Sequence, residues 1–144
     1  MKRVLIPIDG SACALRAVQL VIGKRLLYAQ PEGLEVHLVN VQPTLHVDES
    51  RFDIPKPQLA EYQLHESQRE MREACQLLEA AGVPCVTHCL VGVPAEEIIQ
   101  LAAKLDCDQI VMGTRGRNAL EALLIGSTTH KVIHRATVPV LLVK

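Results

Sequence analysis

The chain has 144 residues, 49% of them hydrophobic but only 2% aromatic, so it is about one domain of sequence whose core has to be built from Val, Leu, Ile and Ala. With 15 Lys and Arg against 16 Asp and Glu the net charge is −1, which excludes the basic footprint of a DNA, RNA or anionic-lipid binder, and the scarcity of rings removes the stacking platforms of single-strand binders. No apolar run approaches a membrane span, and the opening MKRVLIPIDG reaches Pro7 and Asp9 too early for a secretory core; the expectation is one cytoplasmic domain over residues 1–144 with neither nucleic acid nor membrane as partner.

Residues 4–8 predict a short buried strand that ends at Asp9 and Gly10. Ser11 is a good N-cap for a helix over 12–29, whose apolar stripe is Ala14, Leu15, Val18, Val21, Ile22 and Leu26. Residues 34–41 alternate enough for a second strand, and 42–57, with three prolines and several charges, reads as a long loop. A helix over 58–81 follows, with Leu64, Met71, Leu77 and Leu78 available for the core and Gly82 and Pro84 to stop it. The third strand covers 83–91. Pro94, placed where a missing N–H does no harm, turns the chain into a helix over 95–105. Residues 109–112 form the fourth strand, 113–125 a glycine loop with room for one short helical turn, 127–135 the last helix and 138–143 the fifth strand.

Strands alternating with helices imply parallel strands, right-handed crossovers and helices on both faces: an open, Rossmann-like α/β sheet. Such sheets bind ligands beyond the carboxyl ends of strands where the winding reverses. If strand one lies beside strand four, Asp9 and Gly113 become neighbours across that crevice.

The chemistry concentrates in the segment GTRGRNALEALLIGST, residues 113–128. Gly113, Gly116 and Gly126 offer bare backbone, and Ser127 and Thr128 open a helix whose first N–H groups lie at its positive dipole end, an arrangement suited to phosphate. The plainer alternative is that these glycines serve turns and an ordinary helix start. Arg115 and Arg117 are either solvated loop charges or phosphate partners. Asp9 is either a ligand to a sugar hydroxyl or a cap on the first helix. Neither the Gly-x-x-x-x-Gly-Lys-Ser/Thr loop nor Gly-x-Gly-x-x-Gly after the first strand is present, and no Gly-x-Ser-x-Gly elbow surrounds a serine, so the pattern suits holding a nucleotide and no catalytic residue is assigned.

Five scattered cysteines do not make a disulfide framework. On a strand Cys85, Thr87 and Cys89 share one face and His88 the other, so they do not converge on a metal. His130 and His134 stand four apart on the last helix without the Glu of a zinc-protease helix, and no metal ligand is assigned there either.

With these residues assembled, the chain resembles the universal stress protein family over essentially its whole length. The matching stretches are VLIPIDGS at 4–11, LVNV at 38–41, GVPAEEI at 92–98 and residues 108–128, the last with Gly-x-x-Gly, nine residues and Gly-Ser, as in the ATP-binding branch of that family. The resemblance implies strand order 3-2-1-4-5 and ATP as ligand, with AMP or ADP as alternatives and Mg2+ as an optional companion. It places adenosine near Pro7, Ile8, Asp9 and Val41, phosphates near Gly113, Gly116, Arg117, Gly126, Ser127 and Thr128, and Met112 in the pocket lining. It also implies a homodimer formed through the last strand, from Val138 to Val143, whose bare apolar edge would otherwise invite aggregation. Two positions depart from the family: Thr128 replaces a frequent valine and keeps its backbone N–H, and Asn40 stands where His is frequent, its side chain directed away from that of Val41. The function implied is a stress-response regulator acting through nucleotide occupancy. A slow ATPase or adenine-nucleotide hydrolase, and a nucleotide-free dimerising module, are the rivals.

Overall fold

The computed structural model describes residues 3–27, 33–45, 55–116 and 125–144. The elements are β1 (Arg3–Pro7), α1 (Ala12–Lys24), a short 3-10 turn (Arg25–Leu27), β2 (Glu35–Gln42), α2 (Lys56–Ala80), β3 (Cys85–Val91), α3 (Pro94–Lys104), β4 (Gln109–Gly113), α4 (Ser127–Arg135) and β5 (Val140–Val143). The strands form one five-stranded sheet in the order β3-β2-β1-β4-β5 that the family resemblance implies, parallel throughout, as the alternation of strands and helices predicts. β1 pairs Val4 with Val36 and Ile6 with Leu38 on one side, and Leu5 with Ile110 on the other.

Because successive strand residues face opposite ways, the sheet divides the core in two. Val4, Ile6, Val36, Leu38 and Val111 pack against Ala14, Ala17, Val18 and Val21 of α1 and Met71, Ala74 and Leu78 of α2. Leu5, Val39, Ile110 and Met112 pack against Ala95, Ile98, Leu101 and Ala102 of α3 and Val132 of α4. Each fully buried Val, Leu or Ile contributes about 1.5–3 kcal/mol, which is how a core almost without rings holds together.

Several boundaries differ from the sequence expectation: β3 begins at Cys85 and β5 at Val140, each two residues late, β1 and α3 are displaced by one residue, and α1, α2 and β2 differ as follows. α1 stops at Lys24, five residues short of the expected end, and Leu26 and Leu27 are 76% and 78% exposed, outside the stripe that Cys13, Ala14, Ala17, Val18 and Val21 make. Residues 28 and 29 lie outside the described residues. α2 begins at Lys56 and takes in Pro57, which the loop was expected to keep; proline is tolerated in a first turn because its missing N–H has no helical partner there. β2 runs on to Gln42, and the remainder of the expected loop is described only at 43–45 and at Pro55.

The buried face of α2 also differs. Leu64 is 47% exposed, while Gln63, Ser67, Met71, Ala74 and Leu78 face inward. The two polar residues turn in because each has a partner: Gln63 Nε2 donates to the Pro43 carbonyl at 2.8 Å and Ser67 Oγ to Asn40 Oδ1 at 2.5 Å. A buried hydrogen-bonded side chain costs little, whereas an inward leucine there would bring no donor to the Pro43 carbonyl or to Asn40 Oδ1.

Toward the β3 edge, His37 and His88 stack across β2 and β3 with ring centroids 5.2 Å apart and His37 Nδ1 3.0 Å from His88 Nε2. Burial pushes both imidazoles below the ordinary histidine value; the Arg3 charge adds to this at His37 against the opposing pull of Glu35, and His37 and Lys104 add to it at His88. The folded protein therefore binds fewer protons at this pair than the unfolded chain does, so the pair's contribution is complete above the unfolded value of about 6.5 and is lost as pH falls below it. Imidazole NMR titrations are expected to give both midpoints below about 6.5, with the unfolding temperature dropping between about pH 7 and pH 5. A midpoint at or above the free value for either ring would contradict the arrangement.

Candidate functional site

β1 stands between β2 and β4, so the winding direction reverses at its carboxyl end and the segments leaving these strands splay apart. They bound a crevice of about 610 Å³, within the range of about 300–1,000 Å³ that small-molecule sites occupy. Pro7, Ile8 and Asp9 reach it from the end of β1, Val41 and Gln42 from β2, Met112 and Gly113 from β4, and Gly126, Ser127 and Thr128 from the start of α4. Every residue singled out from the sequence lines this one crevice except Arg117, which lies outside the described residues, as does the short turn expected within 113–125. Arg115, exposed, is at the rim.

Asp9 is held in a tight local turn. Its Oδ1 accepts the Ser11 N–H at 2.9 Å, while Ser11 Oγ takes the Ala14 N–H at 3.2 Å and so caps α1. The capping role weighed for Asp9 thus belongs to Ser11, and the carboxylate of Asp9 is turned toward Gly116.

The three glycines have three different reasons. At Gly116 an added Cβ would stand 2.6 Å from Asp9 Oδ2, so the backbone lies this close to Asp9 only without a side chain. At Gly113 a Cβ would meet Cys13 Sγ at 2.8 Å and the Cys13 carbonyl carbon at 2.9 Å; this glycine serves the contact between β4 and the first turn of α1. Gly126 has φ −70° and nothing closer than 3.6 Å to a would-be Cβ, so its place depends on what it leaves uncapped: α4 has no side-chain cap, and its first N–H groups face the crevice.

Two hydrogen bonds join the ends of the glycine loop. The Gly126 N–H donates to the Thr114 carbonyl at 2.7 Å, and Thr129 Oγ1 donates to the Gly113 carbonyl at 3.0 Å. The start of α4 is thereby fixed beside the end of β4, with its positive dipole end toward the crevice and His134 and Arg135 at its other end, where cations suit the dipole. Beneath the loop, Cys13 Sγ donates to the Val143 carbonyl at 3.1 Å. Burial opposes a thiolate at Cys13, but backbone N–H groups of Arg115 and Thr114, the Thr114 hydroxyl and the Arg16 charge together hold the thiol below its ordinary value.

The opposite wall comes from α2 and was not found from the sequence: Tyr62, Glu66 and Glu70, four residues apart, face the crevice together with Gln42 and Pro43. The i, i+4, i+8 spacing was the available signal, but on a helix with so many charges it reads equally as a solvated face. Pro94 and Ile98 of α3 add apolar floor. The site is therefore polarised, with a helix N-terminus and Arg115 at one end, carboxylates at the other and aliphatic side chains between. It can take an elongated molecule with an anionic group at one end, a flat apolar middle and hydrogen-bond donors toward α2. Among the described residues, no three His, Cys, Asp or Glu side chains are grouped to hold a metal ion, and no helix is long and apolar enough to cross a membrane.

Comparison with known proteins identifies the family and the fold. The model of the universal stress protein family matches residues 1–144. Universal stress protein MJ0531 of Methanocaldococcus jannaschii is 35% identical over 144 residues, covering 99% of this chain and 82% of that protein. The solved structure of hypothetical protein MJ0577, from the same organism, superposes with a TM-score of 0.82 at 31% identity, covering 99% of this chain and 95% of that one. A universal stress protein from Archaeoglobus fulgidus, solved in complex with dAMP, has the same fold, with a TM-score of 0.70 at 23% identity over 100% of this chain and 98% of that one. By its whole-length family match, its relatives and its sheet order, the chain belongs to the universal stress protein family.

Proposed function

We propose that the protein is an ATP-binding stress-response regulator of the cytoplasm that acts through nucleotide occupancy and dimerisation and has no robust catalysis of its own. The observation that carries this reading is the uncapped N-terminus of α4 lining, together with Asp9, one crevice at the switch point of the sheet. Adenosine lies against Pro7, Ile8, Val41 and Met112, with its ribose hydroxyls toward Asp9. The phosphates lie toward Gly113, Gly116, Gly126, Ser127 and Thr128, with Arg115 and Arg117 neutralising charge and Mg2+ free to accompany the phosphate oxygens. AMP or ADP fits the same contacts with fewer charges to satisfy. The dAMP bound by the Archaeoglobus fulgidus protein is of this ligand class.

Nucleotide that binds only the folded chain stabilises it by mass action and orders the 113–126 and 42–57 loops, altering the surface shown to a partner. The homodimer forms through the outer edge of β5, where Leu141 is 40% exposed; a monomer in sedimentation equilibrium would refute that part. For the site itself, ATP at about 100 times its Kd is expected to stabilise the wild type by about 2.7 kcal/mol, a thermal shift of several degrees. Asp9→Ala is expected to lose most of that shift while remaining folded, since Ser11 still caps α1. An equal shift in both proteins would remove Asp9 from the site.

A further inference from the structure

Behind the crevice wall lies one buried amide whose whole hydrogen-bonding capacity is used. Asn40, on β2 and 2% exposed, donates through Nδ2 to the Ile8 carbonyl at 2.9 Å and to Glu70 Oε2 at 2.5 Å. Its Oδ1 accepts from Ser67 Oγ at 2.5 Å and from Gln42 Nε2 at 2.9 Å. A carboxamide has two donor hydrogens and two lone pairs, so the side chain is saturated and its orientation is fixed by four partners at once. Those partners belong to three parts of the crevice: the turn leading into Asp9, the end of β2, and α2, whose Glu70 lines the far wall.

The Ile8 peptide is the pivot. Its N–H donates to the Val39 carbonyl at 2.8 Å, and its carbonyl is taken by Asn40. With both groups of this peptide held by β2, the next residue, Asp9, leaves the strand in one direction only, and its carboxylate meets the Ser11 N–H and the bare face of Gly116. Isosteric Asp at position 40 would keep both acceptor contacts but set an oxygen against the Ile8 carbonyl and the Glu70 carboxylate, turning two attractions into repulsions.

We propose that Asn40 is a positioning residue for the nucleotide crevice: through the Ile8 carbonyl it sets the direction of Asp9, and through Glu70 and Ser67 it ties the α2 wall to the same point. It touches no ligand. The inference takes its ligand from the nucleotide reading and its geometry from the hydrogen-bond network alone. The sequence marks Asn40 only as a departure from a frequent His whose side chain is directed away from that of Val41, with little effect on adenine expected; its four partners leave no local pattern.

The test is Asn40→Asp in the full chain, read in two ways on protein verified as folded. Calorimetric titration with ATP is expected to show a Kd raised about tenfold. Amide NMR without ligand is expected to show the Ser11 N–H shifted and less protected from exchange, with the amides of β4 and α3 unaltered; a merely structural loss would lower protection across both cores together. Should Asn40→Asp fail to fold, Asn40→Ala, whose emptied polar site admits a water, undergoes the same two measurements with the same expected directions. An unchanged Ser11 amide, or an unchanged Kd, overturns the proposal. If the wild type takes up no ATP, the nucleotide reading falls, and the Ser11 amide alone decides whether Asn40 positions the turn.

Discussion

Gly116→Val is expected to weaken ATP binding by about 100-fold, a loss of about 2.7 kcal/mol, with an unfolding temperature close to that of the wild type. The affinity loss follows from distance. A Cβ at this position stands 2.6 Å from Asp9 Oδ2, nearer than carbon and oxygen approach without bonding. The carboxylate cannot turn aside freely, because its Oδ1 holds the Ser11 N–H and the direction of Asp9 is set by the Ile8 peptide. The added methyl groups also enter the space proposed for the phosphates. Stability changes little because Gly116 is exposed and the atom its Cβ would meet is the end of the Asp9 side chain and not backbone. Titration calorimetry beside thermal melts separates the two effects. A Kd within about threefold of the wild type would mean that the loop does not close on Asp9 when ligand binds.

Gly113→Ala is expected to do the reverse, lowering stability by about 3 kcal/mol and the unfolding temperature by about 10 °C, whether or not nucleotide is present. Here the added carbon meets Cys13 Sγ at 2.8 Å, its carbonyl carbon at 2.9 Å and its Cβ at 3.0 Å. The carbonyl carbon is backbone in the first turn of α1, and Sγ is engaged with the Val143 carbonyl, so neither can yield without moving α1 away from the sheet. Pairing with Cys13→Ala removes the sulfur but leaves the Cβ and backbone contacts, so that double variant should recover only part of the loss. Urea unfolding of the single and double variants measures this. A Gly113→Ala protein as stable as the wild type would show that β4 and α1 have room to separate.

These opposite outcomes mark what could be read from the chain. The parallel sheet with helices on both faces follows from alternating apolar strands and amphipathic helices, whereas the strand order, and with it the meeting of Asp9 and Gly113, comes from the family resemblance. Phosphate-suited glycines were legible as a group but not one by one. Gly113 answers to Cys13, one hundred positions earlier in the chain, and Gly116 to Asp9, and such contacts across the sheet leave no local pattern. The α2 wall was hidden for a similar reason. Tyr62, Glu66 and Glu70 have the composition of a solvated face, and only the packing of Met71, Ala74 and Leu78 beneath the sheet turns them toward the crevice. Leu64 and Leu26 misled in the other direction: both have helical spacing, but α2 turns Gln63 and Ser67 inward to meet Pro43 and Asn40, and α1 ends before Leu26.

Holding a nucleotide without spending it is the centre of this account, and the most direct test is titration of the purified wild type with ATP by calorimetry, followed by analysis of the recovered nucleotide after prolonged incubation. The account predicts saturable binding at about one ATP per chain and recovery of the ATP intact. Absence of binding heat, or conversion of the ATP to ADP or AMP in step with protein concentration, would contradict it.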